Sequence, residues 1–533
     1  MRSRVVHQGA VWAVLSILVS PYLWGADCGP SRYDCAVYYV GHHELSAATQ
    51  ALKEELQVSP RNLKVLNLLG IVLTESGRIE AGNVKFKEAL GIDPNFYSAR
   101  KNLAINEFNL HRLPEAKADL DLVLKSAPSD PIAHVYLAEI SFQKRDYRGA
   151  LPHYDKAADR VPTNRTWTLH YAQCLATKGD IARATAVLKR LPAGDGEGNF
   201  QGGLILGRAG AYEASAALFA SARKSHSDPY LASYNQLLML IRAEKYAESI
   251  HLFKQMVSEG YGKAELYNLV SEAYVKKGDV KEAYDSLRTA TKLEPTAEDN
   301  YVDLAALCLD DESYDLGLEI LDVGIHYVPN SYRLYVQRGF MLVMRGRMED
   351  AEKQFQLAST LAPDKSLPYI ALGEVWMQVG QAQRAANMLR GKSRAPGANF
   401  LIPYIFAEAL IRAGADAGTP TATEAMDALE TSIRLNSKYA HSHAELGKLL
   451  LKQGEVDRAI PELKIATKLD PDDSGSFYQL GQAYRKMGEK AKAEEMLARV
   501  AQLHTPEHDL DVKKELRRLV KQDTMTGQTE AKP

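Results

Sequence analysis

The chain is predicted to be an all-α solenoid, a stack of helical hairpins rather than one compact core. Three observations carry that prediction. Pro60, Pro94, Pro128 and Pro162 follow one another at steps of 34 residues, and Pro295, Pro329 and Pro363 repeat the step. Between the prolines, small and large apolar residues recur in fixed places. Gly70, Phe86 and Ala89 before Pro94 match Gly339, Phe355 and Ala358 before Pro363, and Gly447, Leu463 and Ala466 before Pro471. Lastly, 533 residues are too many for a single core.

From the N-terminus, residues 1–26 stand apart. Arg2 and Arg4 precede an apolar run from Ala10 to Trp24, broken by Pro21 and followed by Gly25 and Ala26. This is the layout of a secretory signal peptide. The run is shorter than the roughly 20 residues that span a bilayer. Cleavage and export to a periplasmic or secreted location is the expectation. An uncleaved N-terminal anchor is the rival, and the one expected route to a membrane. Asp27 before Cys28 argues against lipidation. In an oxidising compartment Cys28 and Cys35 would form a local disulfide; the alternative is two unpaired thiols. Cys174 and Cys308 fall in apolar helical patterns and read as buried small hydrophobes.

Residues 27–62 hold a weak first repeat, and 63–507 the tandem array. With each periodic proline at position 32 of a unit, about 14 units begin at Gly29, Leu63, Tyr97, Pro131, Arg165, Gly196, Tyr230, Ala264, Glu298, Tyr332, Ser366, Phe400, Ala440 and Ser474. Positions 8 and 20 are small, as at Gly70, Ala104, Ala116 and Ala150, because two helices approach closely there. Positions 7, 11, 24 and 27 form the apolar seam. Gly77, Gly278, Gly346 and Gly454 follow the first helix, where a left-handed turn suits glycine. Proline at 32 ends the second helix. Leu237 departs from the small-residue rule at position 8. Pro162 to Pro295 is 133 residues, three short of four periods, and the deficit is placed after Leu191. Pro363 to Pro471 is 108 residues, six more than three periods, and the surplus is placed in 414–423. Residues 508–533 are expected to form a polar capping helix, with Leu510, Leu516 and Leu519 inward, and a disordered tail.

At these residues the chain resembles the tetratricopeptide repeat family, whose pattern is W-x2-L-G-x2-Y, then A-x3-F, then P. The resemblance implies a right-handed superhelix and a non-catalytic scaffold that binds a protein or peptide. It also implies a concave groove lined by positions 2, 5, 9 and 12 of the first helices. Carried over, these are Lys64, Asn67, Thr74 and Lys101, then Tyr234, Leu238, Ile241, Val336, Phe340, Val343, Ile370 and Met377, then His441, Lys448, Tyr478, Gln482 and Arg485. The groove is expected to be polar and basic at its ends and apolar between. An extended peptide with apolar anchors and an acidic end would match it. Lys101 and Asn102 begin the two-carboxylate clamp of some family members. Ile132 and Tyr136 stand where bases are needed next, so the clamp is not carried over.

Lys plus Arg number 65 and Asp plus Glu 67, so no global basic field would hold nucleic acid. His42-His43-Glu44 lacks a third ligand at a recognised spacing and points to different helix sides, so no metal is expected. No phosphate-binding glycine loop, HExxH or GxSxG occurs, so neither a cofactor nor a catalytic residue is expected. Glu265, Glu272 and Glu374 are candidate groove acids for the competing readings. Those readings are a ligand-handling or catalytic role, such as an accessory factor for envelope polysaccharide export or a hydrolase using these carboxylates, and an outer-membrane or secretion assembly factor.

Overall fold

The computed structural model describes Gly29 and residues 31–158, 160–161 and 164–503. The expected signal segment, Cys28 and the expected capping helix lie outside the described residues. Among those described there are 28 α-helices and no strand. They divide between Lys245 and Tyr246 into two compact units.

The first unit contains α1 (Arg32–Gly41), α2 (Leu45–Val58), α3 (Leu63–Glu75), α4 (Ile79–Ile92), α5 (Tyr97–Asn109), α6 (Leu113–Ser126), α7 (Pro131–Gln143), α8 (Tyr147–Lys156), α9 (Arg165–Lys178), α10 (Ile181–Leu188), α11 (Gly196–Arg208), α12 (Tyr212–Ala222) and α13 (Pro229–Arg242). The second contains α14 (Tyr246–Ser258), α15 (Ala264–Lys277), α16 (Val280–Leu293), α17 (Glu298–Asp310), α18 (Tyr314–Tyr327), α19 (Tyr332–Met344), α20 (Met348–Leu361), α21 (Ser366–Gln378), α22 (Ala382–Lys392), α23 (Leu401–Arg412), α24 (Pro420–Leu435), α25 (Ala440–Gln453), α26 (Val456–Leu469), α27 (Ser474–Lys486) and α28 (Lys490–Gln502). Within each unit the chain is an α-solenoid of stacked hairpins. Eleven of the fourteen first helices begin at the residue expected from the proline period, so the prolines mark hairpin boundaries.

Two residues after the proline position stands the N-cap of the next hairpin. Asn62, Asp130, Asn164 and Asp473 each accept a backbone N–H of the first turn. Such a cap contributes about 1 kcal/mol. Inside every hairpin, position 15 takes a positive φ. Glycine fills it in nine hairpins, Gly278 at φ 82° among them, while His43, His111, Arg145, Glu244 and Glu312 adopt it in the other five. The bend belongs to the fold, and sequence showed it only where glycine stands.

The hairpins close on one contact. The position-24 ring lies over the position-8 glycine: Phe86 over Gly70, Phe219 over Gly203 and Phe355 over Gly339. A Cβ on any of the three glycines would come within 3.0 Å of the ring, at 2.8 Å for Gly203. Phe86, Phe219 and Phe355 are at most 1% exposed. Leu237, the large residue at position 8, is fully buried.

Successive hairpins are tied by a polar clasp. The carbonyl at position 32 lies past the end of a helix and needs a donor. The side chain at position 4 of the next unit supplies one and also reaches position 23 of its own second helix. Arg100 donates to the Pro94 carbonyl (2.6 Å) and to Asp119 (2.6 Å). His134 donates from Nε2 to the Pro128 carbonyl (2.9 Å) and meets His153 through Nδ1 (3.0 Å). His443 donates to the Ser437 carbonyl (3.1 Å) and meets Glu462 (2.7 Å). Tyr335 donates to the Pro329 carbonyl (3.1 Å).

The two breaks in period, placed from sequence after Leu191 and within 414–423, fall partly inside helices. The deficit of three shortens α10 to eight residues, where α4 and α6 have 14. The surplus of six is split. Seven residues join α23 to α24, where three join α3 to α4, and α24 runs to 16 residues.

Two outcomes are expected. Gly70→Val should destabilise the folded chain by about 1–3 kcal/mol in urea unfolding, because the Phe86 ring has no room to retreat. Adding Phe86→Leu should recover part of that loss, whereas strictly additive losses would contradict the contact. The second outcome concerns pH. Burial, then the neighbouring His134 ring, holds His153 below its ordinary value of 6.5. The unfolded chain therefore takes up that proton first as pH falls. The stability that depends on a neutral His153 is complete above about pH 6.5 and is lost as pH drops below it. The unfolding temperature should fall less steeply between neutral pH and pH 5 in His153→Gln than in the parent. Parallel profiles would rule the pair out as the source.

Candidate partner-binding groove

The first helices of each unit lie side by side, and positions 2, 5, 9 and 12 repeat along the face they share. In α3, Lys64 is exposed. Asn67 is already bonded, accepting from Asn102 Nδ2 (3.0 Å), and Thr74 accepts from Asn106 Nδ2 (2.8 Å). Lys101 is an internal ion-pair partner. Its Nζ lies 3.0 Å from Asp130 and 3.1 Å from the Tyr97 hydroxyl, which also meets Asp130. Burial pushes the Lys101 ammonium below its ordinary value. Its charge neutralises Asp130 and does not face outward as the groove reading had it.

The apolar middle of the expected groove is largely core. Tyr234, Leu238, Ile241, Val336, Ile370 and Met377 are all buried, with Ile370 at 0% and Met377 at 4% exposure. Phe340 and Val343 are half-buried. Phe340 sets its ring edge-to-face against Phe355 at 5.4 Å. The correction has a simple cause. In these hairpins the apolar side chains at positions 5, 9 and 12 are long enough to reach the neighbouring first helix, so each covers the next. Of the candidate acids, Glu265, Glu272 and Glu374 are half-buried. Close by on α17, burial raises the Asp303 carboxyl to about 7, against the lowering effect of the Asn268 amide 2.8 Å away.

At the far end of the second unit, His441 is half-buried beside the Tyr439 ring, and Lys448 is taken up by Glu445 (3.1 Å). Tyr478, Gln482 and Arg485 share one face of α27. Tyr478 is 46% exposed, and Arg485 is exposed and donates to Gln482. Of the residues expected from sequence, Lys64, Tyr478 and Arg485 are exposed.

A cavity of about 430 Å³ opens elsewhere, between α9 and α11. Its apolar wall is Leu169, Leu204 and Ile205. Its polar groups include His170, Gln173 and Arg208. His170 is fixed on two sides. Nδ1 lies 2.9 Å from Glu139 Oε2, and the Phe142 ring stacks on the imidazole at 3.8 Å. Glu139 is buried and also accepts from Tyr154 (2.6 Å). That leaves His170 Nε2 without a hydrogen bond among the described residues. Arg208 is exposed at the cavity rim and makes no ion pair with any described residue. Cys174 on the same helix is buried, and its thiol is pushed up to about 12, by burial first and then by Glu139 and Asp146. That environment suppresses the thiolate, so the sulfur has no nucleophilic character at neutral pH. The chemistry on offer is recognition by an apolar wall, an amide, an oriented imidazole and an uncompensated guanidinium.

The groove residues carried over from sequence passed over this unit, although the same positional rule names Thr166, Leu169 and Gln173, all of which line the cavity. Cys35 is disulfide-bonded, while Cys174 and Cys308 are free. Among the described residues no group of three His, Cys, Asp or Glu could hold a metal ion, and no helix is long and apolar enough to cross a membrane.

Several solved structures are similar at low identity. Yeast Tom70 is 16% identical, with 81% of this chain and 96% of that chain covered and a TM-score of 0.36. The Cut9–Hcn1 hetero-tetramer of the APC/C is 13% identical, covering 84% of this chain and 95% of that one, at a TM-score of 0.35. YrrB, described as a TPR protein with an unusual peptide-binding site, is 17% identical over 45% of this chain and 99% of its own, at 0.27. Family models described as tetratricopeptide repeat match residues 101–164, 141–202, 200–264, 264–296, 422–474 and 444–508. Repeats of this kind support a protein–protein interaction scaffold in general terms. With its hairpins, its periodic small residues and these matches, the chain belongs to the tetratricopeptide repeat family.

Proposed function

We propose that this chain is a non-catalytic scaffold of an exported compartment that binds an extended segment of a partner protein. The α9–α11 cavity is its principal anchor. The observation that carries this reading is the pairing of an apolar wall with Arg208, a cation that no described carboxylate neutralises. An apolar side chain would fill the space between Leu169 and Leu204. A nearby carboxylate would take the Arg208 guanidinium, with His170 and Gln173 bonding the peptide backbone. Tyr478, Gln482 and Arg485 of the second unit offer a similar combination of an aromatic ring, an amide and a guanidinium. The export reading is supported by the arrangement of Arg2, Arg4 and the run to Trp24, and by the Cys35 disulfide, which suits an oxidising compartment.

Two measurements test these statements. On an array of extended peptides, binders should combine an apolar residue with a nearby Asp or Glu. Arg208→Glu should weaken them about tenfold or more, the scale of a charge-assisted hydrogen bond. A binding profile unchanged by both Arg208→Glu and Leu169→Lys would remove the cavity from the account. For export, N-terminal sequencing of the protein recovered from its native cells should begin beyond Ala26. A chain still starting at Met1 would contradict cleavage.

A further inference from the structure

The shortened fifth hairpin leaves a mark on the opposite face, the one built from second helices. There α10 stops at Leu188 after eight residues, whereas α4 and α6 run for 14 and the flanking α8 and α12 for 10 and 11. Against α4 and α6 the loss is about 9 Å of helix, nearly two turns. The chain turns away through 189–195 into α11, and the space is left open as a notch of about 850 Å³ between α10 and α12. Its floor is the face of α12 that carries Ala211, Ala214 and Ala217, and Leu191 and Ala193 close one end. Ala217 is exposed. Side chains this small let a helix axis approach closely, at the lower end of ordinary helix-to-helix distances.

The charge around the notch is one-sided. Glu213 on the α12 wall is engaged by Lys245 at 3.5 Å. Asp195 at the start of α11 is taken up by Arg165 (2.7 Å). Lys189, which lines the notch, and Arg190 beside it are exposed and have no ion-pair or hydrogen-bond partner for their side chains among the described residues. The notch therefore offers an apolar floor of two-turn length with uncompensated positive charge at its end.

We propose that this notch is a second docking site, which accepts a short amphipathic helix of a partner protein with acidic residues facing Lys189 and Arg190. The docked helix occupies the course that the last turns of a full-length α10 would follow. Its apolar side chains lie on Ala214 and Ala217, the part of the α12 face that borders the notch. The surface is distinct from the α9–α11 cavity, which lies among the first helices.

The test uses the full chain and two fluorescein-labelled stapled helices of about eight residues, two turns. Both carry apolar residues at i, i+3, i+4 and i+7. One bears Glu and the other Lys at the remaining positions. In fluorescence anisotropy the acidic helix should bind saturably and about tenfold more tightly than its basic twin. Ala217→Trp should fill the notch and weaken the acidic helix at least tenfold. The double variant Lys189→Glu/Arg190→Glu should reverse the preference between the twins. Arg208→Glu should leave all of this unchanged, which separates the notch from the groove. Circular dichroism melts confirm that each variant is folded. Equal binding of the twins, indifference to Ala217→Trp in a folded protein, or no saturable binding would each overturn the proposal.

Discussion

The array depends on the close approach of the two helices in a hairpin, tightest where a large side chain lies over a residue with no side chain at all. Phe86 over Gly70, Phe219 over Gly203 and Phe355 over Gly339 bring two helices close enough for the seam positions to meet. Where the glycine is replaced by alanine, as at Ala104 and Ala138, the same place is still fully buried. One hairpin closed this way still has apolar surface to spare. Only the next hairpin covers it, so stability is shared between neighbours along the array instead of being centred on one core.

Apolar stacking alone would leave the boundary carbonyl without a donor. The clasp at position 4 resolves that with whatever polar side chain the unit carries: Arg100, His134, Tyr335 or His443. The geometry is constant while the chemistry varies. The Arg100 clasp pairs a guanidinium with Asp119, while in the His134 clasp burial holds the His153 imidazole below its ordinary value. Repeats that look equivalent in backbone thus differ in what loosens them.

Most of the fold was legible because proline, glycine and the large apolar residues act locally. Pro94 ends a helix and Asn62 or Asp130 starts one regardless of distant parts of the chain. The groove was less legible. Whether Ile370 or Met377 faces water depends on the neighbouring first helix, and position within a unit carries no information about that neighbour's reach. Lys101 reads as a free cation until Asp130, from the next unit, is placed beside it. The α9–α11 cavity was within reach of the positional rule through Thr166, Leu169 and Gln173. Its selectivity was not, since the orientation of His170 comes from Phe142 and Glu139 of the preceding hairpin. The deficit after Pro162 was visible as a number, but not the fact that it removes nearly two turns of α10.

The central claim is that the fifth hairpin interrupts the array, and that the notch between α10 and α12 opens because of it. Second helices α4 and α6 run for 14 residues, whereas α10 stops after eight and borders open space on α12. Native-state hydrogen exchange on the full chain tests this most directly, since local opening follows local burial. The account expects the amides of α10 and residues 189–195 to exchange faster than those of α4 and α6, whose second helices are complete. Equal protection across these helices would mean that the fifth hairpin is as firmly packed as its neighbours, and would contradict the claim.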